Sequence, residues 1–280
     1  MSIVLTAPAK LNLSLDVTGR REDGYHTLRT VMQSIDWCDT VTVDLADDGH
    51  IHLTCDGGIP ANEKNIAYRA AVLFREALGT EQGYVIDVHK AIPSEAGMAG
   101  GSADGAAVLR GLNRLHGEPL SEEALLTLGA RLGADVPFCL LGGTALATGI
   151  GTELTPLPPL PPCYFVVVKP EGGVSTPEAY RLLDSAPSLL HPDVEAQCEA
   201  IRRGDLEGIL PHTGNSFEAP LALPHTATIV ALLRQHGAAA ALLTGSGSAT
   251  FGIFREKATA ETAAEALKAH YPQTRLCLPV

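Results

Sequence analysis

The residues whose types and spacing suggest chemistry most directly lie in the stretch 93–104, Pro93-Ser94-Glu95-Ala96-Gly97-Met98-Ala99-Gly100-Gly101-Ser102-Ala103-Asp104. A β-rich alternating segment, Tyr84-Val85-Ile86-Asp87-Val88, precedes it. Residues 105–115 follow, with Val108, Leu112 and Leu115 at helical spacing. A strand, a Pro-led glycine loop and a helix thus come in succession. Glycine admits φ > 0 and lets backbone N–H groups come close to a ligand. A helix start adds unpaired N–H donors and the positive end of the macrodipole. Together they make an anion site, most often for phosphate. The letters fit neither G-x-x-x-x-G-K-[ST], because no lysine follows the glycines, nor G-x-G-x-x-G. The competing reading is a glycine-rich turn that merely packs against a neighbour.

Other residues carry a chemical and a structural reading at once. Lys10 and Asn12 share one side of a strand-like segment, opposite Leu11, Leu13 and Leu15. A lysine near a strand start is ordinarily a solvated edge residue. Tyr25-His26 closes a turn-rich loop bounded by Gly19 and Gly24. An exposed pair of this kind is ordinarily incidental, yet it can stack on and hydrogen-bond a nucleobase. Asp135 stands two residues before Pro137, where a cap or turn residue is expected. Asn62 or Asn65 would cap the helical pattern 66–78, and the capping role is assigned to Asn62. Thr176 would cap a helix with Pro177 at its first position, which puts Tyr180 on the first turn. A second glycine loop, Thr244-Gly245-Ser246-Gly247-Ser248, sits between two strands and has no helix dipole to call on.

The elements that position these residues are read from periodicity and composition. With 280 residues there is room for one large or two ordinary domains. Apolar content of 45% and charged content of 19% place the chain among soluble globular proteins. No apolar run reaches membrane-spanning length, and the start lacks the basic region of a signal peptide. The cysteines at 38, 55, 139, 163, 198 and 277 form no C-x-x-C pair, which favours reduced thiols in a cytoplasm. A net charge of −12 argues against nucleic-acid binding but leaves anionic metabolites open. Residues 3–17 alternate in two β-like bursts around Pro8, and 41–45 with 51–55 read as a hairpin around Asp47-Asp48-Gly49. The Pro-rich stretch 155–162 can be neither a central strand nor a helix. It reads as a stiff connector dividing 1–155 from 162–280. Beyond it, 164–168 suits a buried strand.

Pro93 followed by Gly97-Met98-Ala99-Gly100-Gly101-Ser102-Ala103 resembles the phosphate loop of the galactokinase–homoserine kinase–mevalonate kinase–phosphomevalonate kinase superfamily. Met98 replaces its usual Leu, and Ala99 replaces one loop Gly. Pro8-Ala9-Lys10-Leu11-Asn12-Leu13, Gly19-Arg20-Arg21, Asp23-Gly24-Tyr25-His26, Gly133-Ala134-Asp135-Val136-Pro137-Phe138 and Asn215-Ser216-Phe217-Glu218 extend the likeness over the whole chain. They look like one branch of the superfamily, whose small-molecule substrate is a cytidine diphosphate-linked methylerythritol of the non-mevalonate route to isoprenoid precursors.

The resemblance implies an α+β fold of two domains. An N-terminal ATP-binding domain (ribosomal S5 domain 2-like) would precede a C-terminal ferredoxin-like α/β substrate domain, with the active site in the cleft between them. It implies ATP and Mg²⁺, with the metal ligands unassigned. Lys10 and Asp135 would be catalytic, Asp135 taking the proton of the substrate hydroxyl. Asn65, Lys90, Pro93, Gly97, Met98, Ala99, Gly100, Gly101, Ser102 and Ala103 would hold the nucleotide. Asn12, Tyr25, His26, Thr176, Tyr180, Gly245 and Ser246 would hold the substrate, with Tyr25 and Tyr180 on opposite faces of the cytosine. It further implies a cytoplasmic monomer or homodimer with no nucleic-acid or membrane partner. Two alternatives stay open: a kinase of another alcohol, such as homoserine, and a non-catalytic nucleotide-binding module. The latter would be expected to lack Lys10 or Asp135. The residues without the resemblance reach only a phosphate-binding α/β enzyme.

Overall fold

A computed structural model describes residues 2–280 of the chain. They form two compact units whose segments alternate along the sequence. One takes the residues up to Ala9, Trp37–Ile92 and Ala99–Gly142; the other takes Lys10–Asp36, Pro93–Met98 and Gly143–Val280. Two long strands, β1 (Ile3–Arg20) and β2 (His26–Ala46), contribute residues to both.

In the first unit, β2 pairs antiparallel with β4 (Gly83–His89), Val41 opposite Val88 and Val43 opposite Ile86. β3 (Ile51–Cys55) runs parallel to β4, not antiparallel to β2. The expected 41–45/51–55 hairpin is therefore absent, because β4 lies between the two segments. Burial explains the choice. Tyr84, Ile86 and Val88 give β4 one fully buried face, whereas β3 is half-exposed along its length and suits an edge. Four helices pack on these strands: α1 (Ile66–Leu78), α2 (Gly100–Leu115), α3 (Glu122–Leu132) and α4 (Val136–Leu141). Ala67, Ala70 and Phe74 of α1 join Val108, Leu109 and Leu112 of α2 over Val41, Val43, Tyr84 and Ile86 in one core. Asn65, not Asn62, caps α1 by accepting from Ala67 N, while Asn62 accepts from Lys64 N in the preceding turn.

β1 is one continuous strand rather than two bursts. β8 (Gly214–Asn215) pairs with it only at Ser14 and Leu15, so near Pro8 that edge has no partner from β8. A residue without an N–H is tolerated at such a place. In the second unit β5 (Thr144–Thr148) pairs with β2 over Thr30–Gln33 and β6 (Glu153–Leu157) pairs with β5. The first residues of the Pro-rich stretch thus belong to an edge strand, where Pro156 is permitted. A separate antiparallel sheet has the order β11-β7-β10-β9, from β7 (Tyr164–Val168), β9 (Ala240–Leu243), β10 (Thr250–Phe254) and β11 (Thr274–Cys277). Numbered within the sheet this is 4-1-3-2, the split βαβ arrangement of ferredoxin-like folds. α9 (Thr226–Gln235) and α10 (Lys257–Lys268) cover it through Ile229, Leu233, Ala260, Ala263 and Leu267. The fold is α+β.

Between β7 and β9 come α5 (Thr176–Asp184), α6 (Val194–Arg202), α7 (Leu206–Ile209) and α8 (Glu218–Leu221). Ala179 and Leu183 of α5 pack with Leu15 and Val17 of β1 and with Phe217 and Leu221. The cap of α5 is Ser175, accepting from Glu178 N, one residue before the expected Thr176. Thr176 is the first helical residue, and Tyr180 moves to the second turn. Pro177 is tolerated at the second position because N–H groups of the first turn lack intrahelical partners in any case. Among the described residues no helix is long and apolar enough to cross a membrane.

Candidate active site

The glycine loop is shaped by contact with the second glycine loop. Ser248 N donates to Glu95 O and Ala249 N to Ala96 O, both at 3.1 Å. Gly97 has φ 74°, and a Cβ on it would lie 2.2 Å from Thr244 O. A Cβ on Gly245 would lie 2.7 Å from Gly97 O. The two loops meet backbone to backbone, which only glycine permits at these points. Asn215, which residue types alone gave no role, pins the second loop by donating to Leu243 O and Gly245 O at 2.9 and 2.8 Å.

The loop passes directly into α2, whose cap residue is Ala99. Ala99 makes no side-chain cap bond. The first-turn N–H groups of Gly100, Gly101 and Ser102 are therefore not taken up by a cap and can meet an anion. Pro93 and Ser102 are half-buried, while the side chains of Met98 and Ala103 are buried in packing. Ala99 sits at φ 58°, ψ 30°, the left-handed region. An L-residue with a Cβ pays about 1–2 kcal/mol there. Ala99→Gly is expected to stabilise the fold by about 0.5–1 kcal/mol, because added freedom in the unfolded chain offsets part of the relief. Urea unfolding of the two proteins checks this, and a destabilised Gly variant would refute it.

Lys10 is not a solvated edge residue. It is 4% exposed, and Asn12 is 1% exposed. Lys10 Nζ donates to Asn12 Oδ1 at 2.6 Å, and Asn12 Nδ2 donates to Thr30 Oγ1 at 2.8 Å. Asn12 N donates to Thr244 Oγ1 at 3.0 Å. Lys10 N donates to Met98 O at 3.1 Å, so this residue is joined to the glycine loop by its own backbone. A buried ammonium with a neutral amide as partner is poorly compensated. It is a natural place for an anionic oxygen.

Asp135 precedes α4 with φ −82°, ψ −14°. It occupies the cap position but makes no side-chain cap bond, and it is half-buried. Its carboxylate is not spent on the helix.

A third group gathers where β1 and β2 meet their connecting turn. His26 stacks on Tyr180 with centroids 4.5 Å apart and planes 20° apart. Tyr180 also stands edge-on to Phe217 at 5.0 Å. His26 Nε2 lies 2.6 Å from Asp184 Oδ1, and Arg20 lies 3.2 Å from Asp184 Oδ2. Tyr25 is 62% exposed. Thr176 is exposed, Ser246 half-buried and Gly245 buried.

Around the expected nucleotide residues, Asn65 is occupied on both sides of its amide, as cap and as donor to Pro60 O at 3.0 Å. Lys90 Nζ donates to Asp104 Oδ2 at 2.5 Å and also to Asp39 Oδ2. Asp39 Oδ1 accepts from Ala91 N and Ile92 N at 2.5 and 2.7 Å. Asp104 Oδ1 has no partner. Burial pushes the Asp104 carboxyl up to about 7; the Lys90 ammonium opposes this, and the Asp39 charge adds to it. Burial works against the Lys90 charge, but Asp104 and Asp39 outweigh it and raise its value. Asp39 Oδ1 is met by two backbone donors and Asp104 Oδ1 by none, so Asp104 is the less compensated of the two carboxyls. Asp39 and Asp184 were missed from the sequence. The one signal for Asp39 is an acid inside the β-like run of β2, where a buried charge requires a partner.

Comparison with known proteins completes the description. The family described as GHMP kinases N terminal domain matches residues 65–143, and GHMP kinases C terminal matches residues 197–273. The 4-diphosphocytidyl-2-C-methyl-D-erythritol kinase of Desulfitobacterium hafniense is 46% identical over 262 residues, covering 92% of this chain and 89% of its own. The protein of the same name from Caldicellulosiruptor saccharolyticus is 43% identical, covering 95% and 93%. A crystal structure of 4-(cytidine 5'-diphospho)-2C-methyl-D-erythritol kinase is similar with a TM-score of 0.81 at 38% identity, covering 99% of this chain and 100% of that one. A homoserine kinase from Cytophaga hutchinsonii has the same TM-score at 21% identity, covering 99% and 95%, and speaks to the fold alone.

Proposed function

The chain belongs to the 4-diphosphocytidyl-2-C-methyl-D-erythritol kinase family of the GHMP kinases, and from that premise we propose that it moves the γ-phosphoryl group of ATP to the 2-hydroxyl of 4-diphosphocytidyl-2-C-methyl-D-erythritol, giving the 2-phosphate and ADP. The observation that carries the residue assignment is Lys10: a buried ammonium with a neutral partner, tied through its backbone to the glycine loop. Phosphoryl transfer asks for positioning and charge stabilisation rather than covalent chemistry. The N–H groups of 97–102 cradle the phosphates, with Pro93, Met98 and Ala103 fixing the loop. Lys10, oriented by Asn12, holds the substrate hydroxyl or the incoming phosphoryl oxygen. Asp135 accepts the hydroxyl proton. Asn65 and the stem of Lys90 flank the adenine, and Tyr25, His26 and Tyr180 hold the cytosine. Thr176, Gly245 and Ser246 line the rest of the substrate.

ATP is the phosphate donor of GHMP kinases. Mg²⁺ would supply neutralisation of the phosphate oxygens. Among the described residues no group of three or more His, Cys, Asp or Glu could hold a metal. That fits an ion carried mainly by the triphosphate, with Ser102 as the hydroxyl the loop offers it. We take 155–162 as the connector between 1–155, which carries the glycine loop, and 162–280; the two matched family ranges fall on either side, although 1–155 also supplies the substrate residues Asn12, Tyr25 and His26. A cytoplasmic location is supported by the scattered cysteines, and action on a small molecule without nucleic acid by the net charge of −12.

The test is ATP turnover with Mg²⁺ on the cytidylylated alcohol and on the same alcohol lacking cytidine. Activity on the first alone is expected. Equal activity on both would remove the cytosine clamp and keep the kinase. Absence of activity on either, with ATP still bound, would overturn the substrate assignment.

A further inference from the structure

We propose that Asp184 is the positioning residue of the pyrimidine clamp, acting through His26. Its two carboxylate oxygens are divided between two elements. Oδ1 takes His26 Nε2 at 2.6 Å, at the start of β2, and Oδ2 takes Arg20 at 3.2 Å, at the end of β1. Asp184 is itself the last residue of α5, the helix that carries Tyr180. One carboxylate therefore ties both ends of the turn holding Tyr25 to the helix holding the facing aromatic. The His26 ring shows the consequence. Its side chain is 8% exposed, laid flat on Tyr180 at 4.5 Å. With Nε2 engaged by the carboxylate, the substrate is met by Nδ1 and the ring edge, because the hydrogen bond at one ring nitrogen sets what the other can do. Without Asp184 the imidazole keeps its stacking partner but loses the contact that fixes its rotation about that stack. Arg20 loses its carboxylate partner at the same time, but the turn bearing Tyr25 keeps its own bonds, Arg21 N to Tyr25 O at 2.7 Å and Gly24 N to Arg21 O at 3.1 Å, so the effect runs through His26.

This inference rests on the reading that His26 contacts the substrate base. Asp184→Asn keeps the shape and removes the charge that satisfies both donors. The expected result is a KM for the cytidylylated substrate raised about tenfold, with kcat and the KM for ATP within about twofold of the parent. A merely structural role would move all three together or lower the unfolding temperature. The decisive measurement is a double-mutant cycle with His26→Ala. If Asp184 acts through His26, Asp184→Asn adds little in the His26→Ala background. Additive effects would overturn the inference and leave His26 as a substrate contact. A His26→Ala protein with unchanged substrate KM would instead overturn the reading of His26, and the inference with it. Should Asp184→Asn fail to fold, Asp184→Glu, which keeps the charge and displaces it, is carried through the same cycle with the same expected outcome.

Discussion

Asp135→Asn is expected to lower kcat by about 10²–10⁴-fold while leaving ATP affinity within about twofold of the parent. That loss corresponds to roughly 3–5 kcal/mol of barrier. The substitution is unusually clean because of where Asp135 sits. It occupies the cap position of α4 without making a cap bond. Asn is as good a cap residue as Asp, so no helix stability is at stake. Asn has nearly the same volume and can still hydrogen-bond a hydroxyl, but it cannot take its proton. A loss of turnover with an unchanged melting temperature would therefore report on proton transfer and not on folding. Initial rates, calorimetric binding of a non-hydrolysable ATP analogue and a thermal melt decide it together. Turnover within tenfold of the parent would remove Asp135 as the base. Loss of ATP binding would move it from the proton to the nucleotide.

The element order around the candidate site was legible because its logic is local. The succession of strand, Pro93, glycines and helix is written in consecutive residues, and the structure keeps that order. The cap of α3 at Ser121 and the buried strand β7 are equally local. What was not legible depends on partners far along the chain. β2 and β3 lie close in sequence with a good turn between them, yet β4, some thirty residues on, takes the place between the two. A turn signal names a bend and not the strand that fills it. Lys10 reads as an edge residue until Thr30 and Thr244 are seen closing over Asn12. Ser175 and Thr176 are both competent caps, and no rule of residue type separates them. The acids Asp39, Asp104 and Asp184 acquire meaning only through Lys90, His26 and Arg20.

The largest stability effect is expected at Lys90. Its ammonium is the shared partner of two buried carboxylates, and the side chain of Asp104 is 5% exposed. Lys90→Met leaves that pair facing each other without a cation. Breaking a buried ion pair from one side costs about 3–5 kcal/mol. The cost should depend on pH, with a sign that follows from Asp104. Its carboxyl is already pushed up from the model-compound value of 3.8 to about 7, chiefly by burial. The folded state thus holds a proton that the unfolded chain releases. That contribution is complete below about pH 4 and is lost as the pH rises through about 7. Removing Lys90 takes away the one charge that opposes the shift, so the folded value moves higher and the window extends upward. A protonated Asp104 can then donate to the Asp39 oxygen that Lys90 has left, the other being taken by the N–H groups of Ala91 and Ile92. Urea unfolding of Lys90→Met is therefore expected to show a smaller deficit at about pH 5 than at about pH 8. A deficit equal at both, or one under about 1 kcal/mol, would refute the account of the cluster. The same lesion has a functional side. Asp39 holds the backbone immediately before Pro93, and Asp104 lies in α2 just beyond its first turn. Loosening the cluster should raise the KM for ATP even at a pH where the protein remains folded, and Asp104→Asn, which keeps a neutral partner for Lys90, should do so far less.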